Sequence, residues 1–287
     1  MAGDRRDVEA RIDRWPAHAL AATLDLGAAE LDEELPPLWH WLYFLAAPRR
    51  SELGLDGHWA DPDLVDPADP RRRMFASARI DFERPLRFDR IAHLTETKLR
   101  SRDTQGGGGP IRIVTLEYRV LQDGALCLRE ERDLVYLKAP PASRVAAGAA
   151  SGGAASGGAE AGDAAQAAMG AAGATVGCLE ITPDPVMLMR FSALTFNSHR
   201  IHYDQDYAQR QEGYPERVVH GPLIAILLAE QLRLQGIARL RRFEFRAKRP
   251  LFVDRRIRLT AQADGARISL CALDPSGTLA AEATAIL

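Results

Sequence analysis

The sequence predicts an α+β protein in which one motif occurs twice. Three observations carry this: a repeated heptapeptide, strand-like segments on either side of each copy, and an apolar, proline-opened stretch upstream of each. The heptapeptide is Arg84-Pro85-Leu86-Arg87-Phe88-Asp89-Arg90, which returns as Arg249-Pro250-Leu251-Phe252-Val253-Asp254-Arg255, identical at five of seven positions. Residues 78–83 and 242–246 alternate apolar and polar side chains before each copy, and residues 91–100 and 257–263 follow with more strand-like sequence. The apolar stretches are 35–45 (Leu-Pro-Pro-Leu-Trp-His-Trp-Leu-Tyr-Phe-Leu) and 221–232 (Gly-Pro-Leu-Ile-Ala-Ile-Leu-Leu-Ala-Glu-Gln-Leu). Proline in the first turn and Gly236 beyond the second stretch are helix boundary signals. Apolar on nearly all sides, each such helix should be buried under its own antiparallel sheet.

The remaining strands follow from turn signals. Residues 111–120 and 125–137 flank Asp123-Gly124, a hairpin turn pair. In the second half, turns at Asp264-Gly265 and at Pro275-Ser276-Gly277 separate strands over 257–263, 267–273 and 279–287. Gly106 to Gly109 joins two first-half strands; with no Lys-Ser/Thr and no helix after it, it is no phosphate loop.

Between the halves, 26 of the 39 residues in 139–177 are Ala or Gly. Such a run has little apolar surface to offset the entropy of ordering, and it reads as a flexible linker with a reach of roughly 35 Å. The expected organisation is an N-terminal unit over 1–138, the linker over 139–177, and a C-terminal unit over 178–287.

Bulk properties narrow the function. At 287 residues and net charge −2, the chain offers no electrostatic case for nucleic acid or an anionic membrane. Its apolar runs are too short to cross a bilayer, and residues 1–14 lack the apolar core of a signal peptide. Three scattered cysteines indicate neither a disulfide framework nor a zinc site, and no metal or other cofactor is expected. A cytoplasmic enzyme or binding protein is the default expectation.

Residues 196–204 (Phe-Asn-Ser-His-Arg-Ile-His-Tyr-Asp) and then Val219-His220-Gly221-Pro222 bring imidazoles next to a glycine-opened helix. Proton-transfer groups would then share a site with free backbone N–H groups, an arrangement suited to a polarised carbonyl. This second half resembles the MaoC-like (R)-specific enoyl-thioester hydratases and dehydratases, and the duplicated helix-and-sheet plan looks like their double hotdog fold. The wording most resembles the mesaconyl-CoA hydratase and mitochondrial-type hydroxyacyl-thioester dehydratase branch. The first half, with 35–45 and Gly54-Leu55-Asp56-Gly57-His58, is also similar to that branch.

On this resemblance His202 falls at the catalytic histidine position and Asn197 where acid-bearing relatives have Asp. An amide takes up no proton at neutral pH, so the base and acid work would rest on His202, with Asn197 orienting water or the substrate hydroxyl. His220 and Gly221, which open the helix, are both expected at the thioester, with Gly221 N–H the donor to its oxygen. His199 either contacts substrate or packs beneath the loop. Arg200 either meets an anionic group or is solvated, and Asp204 is expected to cap a short helix over 205–209.

His40 reads as a core residue of an aromatic helix, and His58 lacks the upstream Asn/Asp partner that marks the second-half motif. The first half would therefore shape the acyl channel. Arg241, Arg242, Lys248 and Arg249 are either coenzyme A phosphate contacts or ordinary strand-face charge. The implied function is a hydro-lyase acting on an enoyl- or 3-hydroxyacyl-CoA, with acyl carrier protein as the alternative carrier and mesaconyl-CoA as the specific candidate. The rival functions are a hotdog thioesterase and a non-catalytic acyl-CoA binder. Monomer and homodimer of double hotdogs both remain open.

Overall fold

A computed structural model describes residues 5–26, 31, 33–59, 71–106, 109–138 and 174–287. Ten strands form one antiparallel sheet. They are β1 (Arg5–Arg11), β2 (Arg71–Phe82), β3 (Ile91–Gly106), β4 (Gly109–Gln122), β5 (Ala125–Lys138), β6 (Ala174–Ile181), β7 (Arg242–Ala247), β8 (Ile257–Asp264), β9 (Arg267–Leu273) and β10 (Leu279–Ile286). The spatial order is β1-β3-β4-β5-β2-β7-β10-β9-β8-β6. Read outward from the centre, 2-5-4-3-1 mirrors 7-10-9-8-6, so the duplication is also a duplication of topology. The halves join where β2 pairs β7, from Ser77 opposite Arg246 to Asp81 opposite Arg242.

The repeated heptapeptide explains itself in this frame. Asp89 and Asp254 both take positive φ, 61° and 58°. Their backbone N–H groups reach back to Ile12 O and Pro183 O. Leu86 O accepts from Leu35 N and Leu251 O from Val219 N, so each copy anchors the segment that enters its apolar stretch.

Among the described residues the α-helices are α1 (Arg14–Thr23), α2 (Pro185–Leu194), α3 (Gln205–Arg210) and α4 (Gly221–Arg233). The expected helix over 221–232 is α4, whose residues from Leu223 to Leu232 are all buried. Two of those are polar and are satisfied: Gln231 Nε2 donates to Gly177 O at 2.7 Å, and Glu230 accepts from Trp39 Nε1 at 2.9 Å.

The first copy departs from expectation, because 35–45 forms no α-helix. It makes a single 3-10 turn over Trp39–Leu42. Leu38 takes φ 71° and Phe44 φ 57°, so left-handed residues bracket the turn. Pro36 and Pro37 supply no N–H. The large side chains spread to separate anchors instead of packing along one cylinder: Trp39 to Glu230, His40 and Trp41 to Glu130, and Tyr43 to Asp13 O.

Smaller differences concern edges and turns. The hairpin over 109–138 turns at Asp123-Gly124 as expected, whereas the next turns one residue later, at Gly265-Ala266, because Asp264 still pairs with Arg267. Residues 174–177, expected in the linker, are the start of edge strand β6. Residues 139–173 and Gly107-Gly108 lie outside the described residues. The three cysteines are free, and no described helix is long and apolar enough to cross a membrane.

Candidate active site

A cavity of about 980 Å³ opens between the halves, lined by β2, β4 and β5, by the 3-10 turn, by the loop after α2 and by the start of α4. Its existence follows from the missing first-half helix: a turn occupies less of the concave sheet than a helix would.

The loop after α2 is tightly built. Asp184 caps α2 by accepting from Met187 N at 2.7 Å. Beyond the helix, Asn197 N donates to Ser192 O at 2.8 Å, and Asn197 Oδ1 accepts from His199 N at 3.1 Å. This Asx turn leads into the 3-10 turn Arg200–His202. Asp204 then caps α3, accepting from Tyr207 N at 3.0 Å, as expected.

His202 is buried and lines the cavity. Its Nδ1 lies 2.7 Å from Val218 O. A carbonyl only accepts, so Nδ1 carries the proton and Nε2 keeps a lone pair. Burial lowers the His202 pKa to about 3; the Val218 bond opposes this and the nearby His58 adds to it. The ring is neutral at ordinary pH and basic at Nε2.

The other expected residues divide. Asn197, His199, His202 and Gly221 share the cavity wall. His220 stacks on His202 with ring centroids 3.6 Å apart, its Nε2 2.8 Å from Ser192 Oγ. It is fully buried behind the His202 ring and is absent from the wall. Arg200 turns to Asp204 at 2.7 Å and lies over Tyr207 at 4.1 Å. Gly221 packs so closely on Phe75 of β2 that an added Cβ would sit 3.0 Å from Phe75 Cδ1.

Two groups escaped sequence reasoning. His58 comes from the other half, with its ring 4.0 Å from that of His199, which is in turn 5.4 Å from His202. Four imidazoles therefore run in a row from His58 to His220. The loop carrying His58 is fastened to the His199 loop: Ser198 Oγ donates to Gly57 O, and Arg200 N donates to Asp56 O at 2.8 Å. Gly57 must be glycine, since its φ is +85° and a Cβ would fall 2.0 Å from Ser198 O. Gly54-Leu55-Asp56-Gly57-His58 carried a tight-turn signal, but nothing in it named the partner loop.

The second group is Glu130, fully buried on β5. It accepts from His40 Nε2, Trp41 Nε1 and Arg132 Nε at 2.8 to 2.9 Å. His40 is thus a core residue as expected, but also part of a charged cluster in the cavity wall.

Asp56, His58 and His199 present three ligand-type atoms within 4.8 Å of one another. Asp56 is engaged locally, at 3.0 Å to His58 N and 3.4 Å to His58 Nδ1.

A duplicated antiparallel sheet topology, wrapped in its second half around a buried helix whose N-terminus shares a cavity with an imidazole, defines the double hotdog class of acyl-thioester enzymes. The comparisons agree. The family model described as hydroxyacyl-thioester dehydratase type 2 matches residues 38–253, and the chain belongs to that family. It is 41% identical over 284 residues to mesaconyl-C(4)-CoA hydratase of Chloroflexus aurantiacus, covering 98% of this chain and 95% of that one. It is 26% identical to the mitochondrial hydroxyacyl-thioester dehydratase type 2 of Schizosaccharomyces pombe, covering 90% and 88%. Among solved structures, a MaoC-like dehydratase superposes with a TM-score of 0.73 at 12% identity, over 99% of this chain and 97% of the other. A Mycobacterium tuberculosis protein with a double hotdog fold does so at 0.54 and 17%, over 100% and 96%. The protein is a hydro-lyase of the hydratase/dehydratase type.

Proposed function

We propose that the protein adds water to, or removes it from, a short branched dicarboxylic acyl-CoA of the mesaconyl type, with His202 as the single proton shuttle. The observation that carries the mechanism is the bond from His202 Nδ1 to Val218 O, which reserves Nε2 for the substrate. In hydration, Nε2 takes a proton from water as the hydroxyl bonds to the β-carbon. The thioester then carries negative charge on its oxygen, to which Gly221 N–H and the first-turn amides beyond Pro222 donate, with the dipole end of a 13-residue helix behind them. The imidazolium returns the same proton to the α-carbon, so the elements of water are added and His202 ends neutral. Dehydration runs these steps backward.

Asn197 uses Oδ1 on His199 N, leaving its amino group to donate to the water or hydroxyl oxygen. The N-terminal unit (1–138) acts as the channel wall and the C-terminal unit (178–287) as the catalytic one. Of the four candidate cations, Arg241 and Arg242 are absent from the cavity lining, and Lys248, which is part of it, pairs with Glu282. That leaves Arg249, exposed in the cavity lining, as the better phosphate contact of that group. Two ion pairs, Glu130–Arg132 and Glu96–Arg6, set polar groups into an otherwise largely apolar lining, which favours an acyl group with a polar end.

The test is a panel of crotonyl-, longer enoyl- and mesaconyl-CoA followed at the enoyl absorbance, with a thiol reagent present. Loss of enoyl signal without thiol release, greatest for mesaconyl-CoA, is the expected result. Thiol release, or no turnover of any member, would overturn it.

A further inference from the structure

A charge in the cavity wall lacks a partner. Among the described residues, Arg6 pairs with Glu96 at 2.7 Å, Arg132 with Glu130 at 2.8 Å and Arg72 with Glu212 at 2.7 Å. Arg73, half-buried on β2 and lining the same cavity, has no carboxylate within 4.0 Å among those residues. Two residues along β2 is Phe75, the ring that packs on Gly221. Side chains two apart on a strand share a face about 6.6 Å apart, so Arg73 stands one pleat from the start of α4. The spacing suits a thioester carbonyl at one end of a short chain and an anionic group at the other.

A second group points to the same place. His199 is buried, lines the cavity, and its Nε2 has no hydrogen-bond partner. Buried polar atoms are nearly always satisfied, and a half-buried guanidinium with no carboxylate beside it gains from a counter-charge. Burial holds the pKa of His58 and of His199 below normal, and in both the charge of Arg73 adds to the lowering. An anion relieves both deficits, since a guanidinium fork accepts a carboxylate bidentately and an imidazole N–H can donate a third bond. A divalent cation on Asp56, His58 and His199 would leave Arg73 uncompensated and add repulsion.

We infer that Arg73 and His199 form a subsite for a second, free carboxylate on the acyl group of the substrate. This rests on the hydratase reading above and extends it, because it names what distinguishes a dicarboxylic acyl-CoA from a monocarboxylic one of equal length. With crotonyl-CoA the guanidinium stays unpaired; with mesaconyl-CoA the substrate completes it. Sites built to bond a polar substrate group discriminate against analogues lacking it by factors that reach about 10⁴.

The experiment measures kcat/KM for mesaconyl-CoA and crotonyl-CoA with wild type, Arg73→Met and Arg73→Lys. Wild type should favour mesaconyl-CoA by at least about a hundredfold. Arg73→Met should collapse that ratio to within about tenfold of unity, mainly through KM for mesaconyl-CoA, and Arg73→Lys should restore part of it. A ratio unchanged in Arg73→Met overturns the subsite while leaving the hydratase reading intact. A wild-type enzyme that hydrates crotonyl-CoA without preferring mesaconyl-CoA overturns the dicarboxylic assignment as well, and one inert on both overturns the hydratase reading. Should the variants fail to fold, wild type alone decides through two unreactive competitors. Succinyl-CoA should inhibit far more strongly than butyryl-CoA, and equal inhibition counts against the subsite.

Discussion

At equivalent points in the two halves the chain takes opposite courses. Val218 bridges to Phe252 and Glu34 to Arg87, so Val218-Val219-His220-Gly221 and Glu34-Leu35-Pro36-Pro37 occupy matching places. In the second half, the glycine opens a helix whose first amides face a cavity. In the first, two prolines carry no amide hydrogen, Leu38 turns left-handed, and only a 3-10 turn follows. The segments before these points differ as well. Residues 24–33 separate α1 from the first bridge, whereas residues 195–217 separate α2 from the second and carry Asn197, His199, His202 and α3. The two halves of the sheet match strand for strand, but His199, His202, His220 and the glycine-opened helix belong to the second, while the first has a 3-10 turn in the helix's place. Neither half holds the site alone, since His58 and Phe75 come from the first.

The sharpest break in this comparison is His202→Ala. If the second half supplies the only proton shuttle, kcat should fall by about 10²–10⁴ with the circular dichroism spectrum unchanged. An enzyme that keeps its kcat without the imidazole would show that His58 or His199, not His202, moves the proton.

The next prediction makes the second half imitate the first. Gly221→Pro would put a proline where the first half has Pro37, and His220, at φ −61° and ψ 129°, already has the backbone that precedes proline. The N–H is lost, and kcat should drop by about 10²–10³. Gly221→Ala is the control. It keeps the N–H while its Cβ meets Phe75 at 3.0 Å, a contact the ring can relieve by moving a few tenths of an ångström. Its kcat should stay within about tenfold of wild type. Equal losses in both variants would trace the effect to Phe75 and not to the donor.

Acid should expose the imidazole row and the Glu130 cluster separately. His58, His199, His202 and His220 are all held below their usual pKa, by burial above all. In the unfolded chain they return to about 6.5, so below that pH the unfolded state binds more protons and stability falls. For His202 the loss runs from about 6.5 down to about 3. In the first half, burial alone would raise Glu130, but Arg132 and His40 overcome it and hold the pKa at about 2. Its contribution, present above about 4.5, is lost only as the pH drops from there toward 2. Urea midpoints should therefore begin to decline just below pH 6.5. A plateau down to about pH 4.5 would mean the imidazole row is not held neutral.

How much of this was legible in the sequence divides along physical lines. The repeat, the hairpins and α4 announced themselves through alternation, turn pairs and an unbroken apolar run. Edge strands β1 and β6 did not, because one is mostly charged and the other begins in Ala and Gly, compositions that protect an edge but resemble coil. Helix α2 carried its signal in Asp184-Pro185, an N-cap followed by proline, ahead of a short apolar run. Residues 35–45 read as a helix because composition registers that aromatics are buried, not that each is tied to a different element. That His202 and Gly221 would line one cavity followed from the family resemblance of 197–204 and 220–221. His58, Glu130 and Arg73 were not legible, since each matters through a partner far along the chain.

The mildest prediction tests the tie between the halves. Trp39 sits in the turn that replaced the first helix, and its Nε1 donates to Glu230 on the buried face of α4 at 2.9 Å. Glu230 also pairs with Arg233 at 2.7 Å, so Trp39→Phe removes one donor without orphaning the carboxylate. The cost should lie near that of one hydrogen bond to a charged group, about 1.5–3 kcal/mol, seen as a lower urea midpoint. Because α4 remains held by its buried apolar residues from Leu223 to Leu232, its N-terminal amides should keep their aim, and kcat should change by less than about threefold. A large fall in kcat with little loss of stability would reverse this assignment: the first-half turn would then be setting the position of the helix end at the cavity, rather than bracing a helix already held in place.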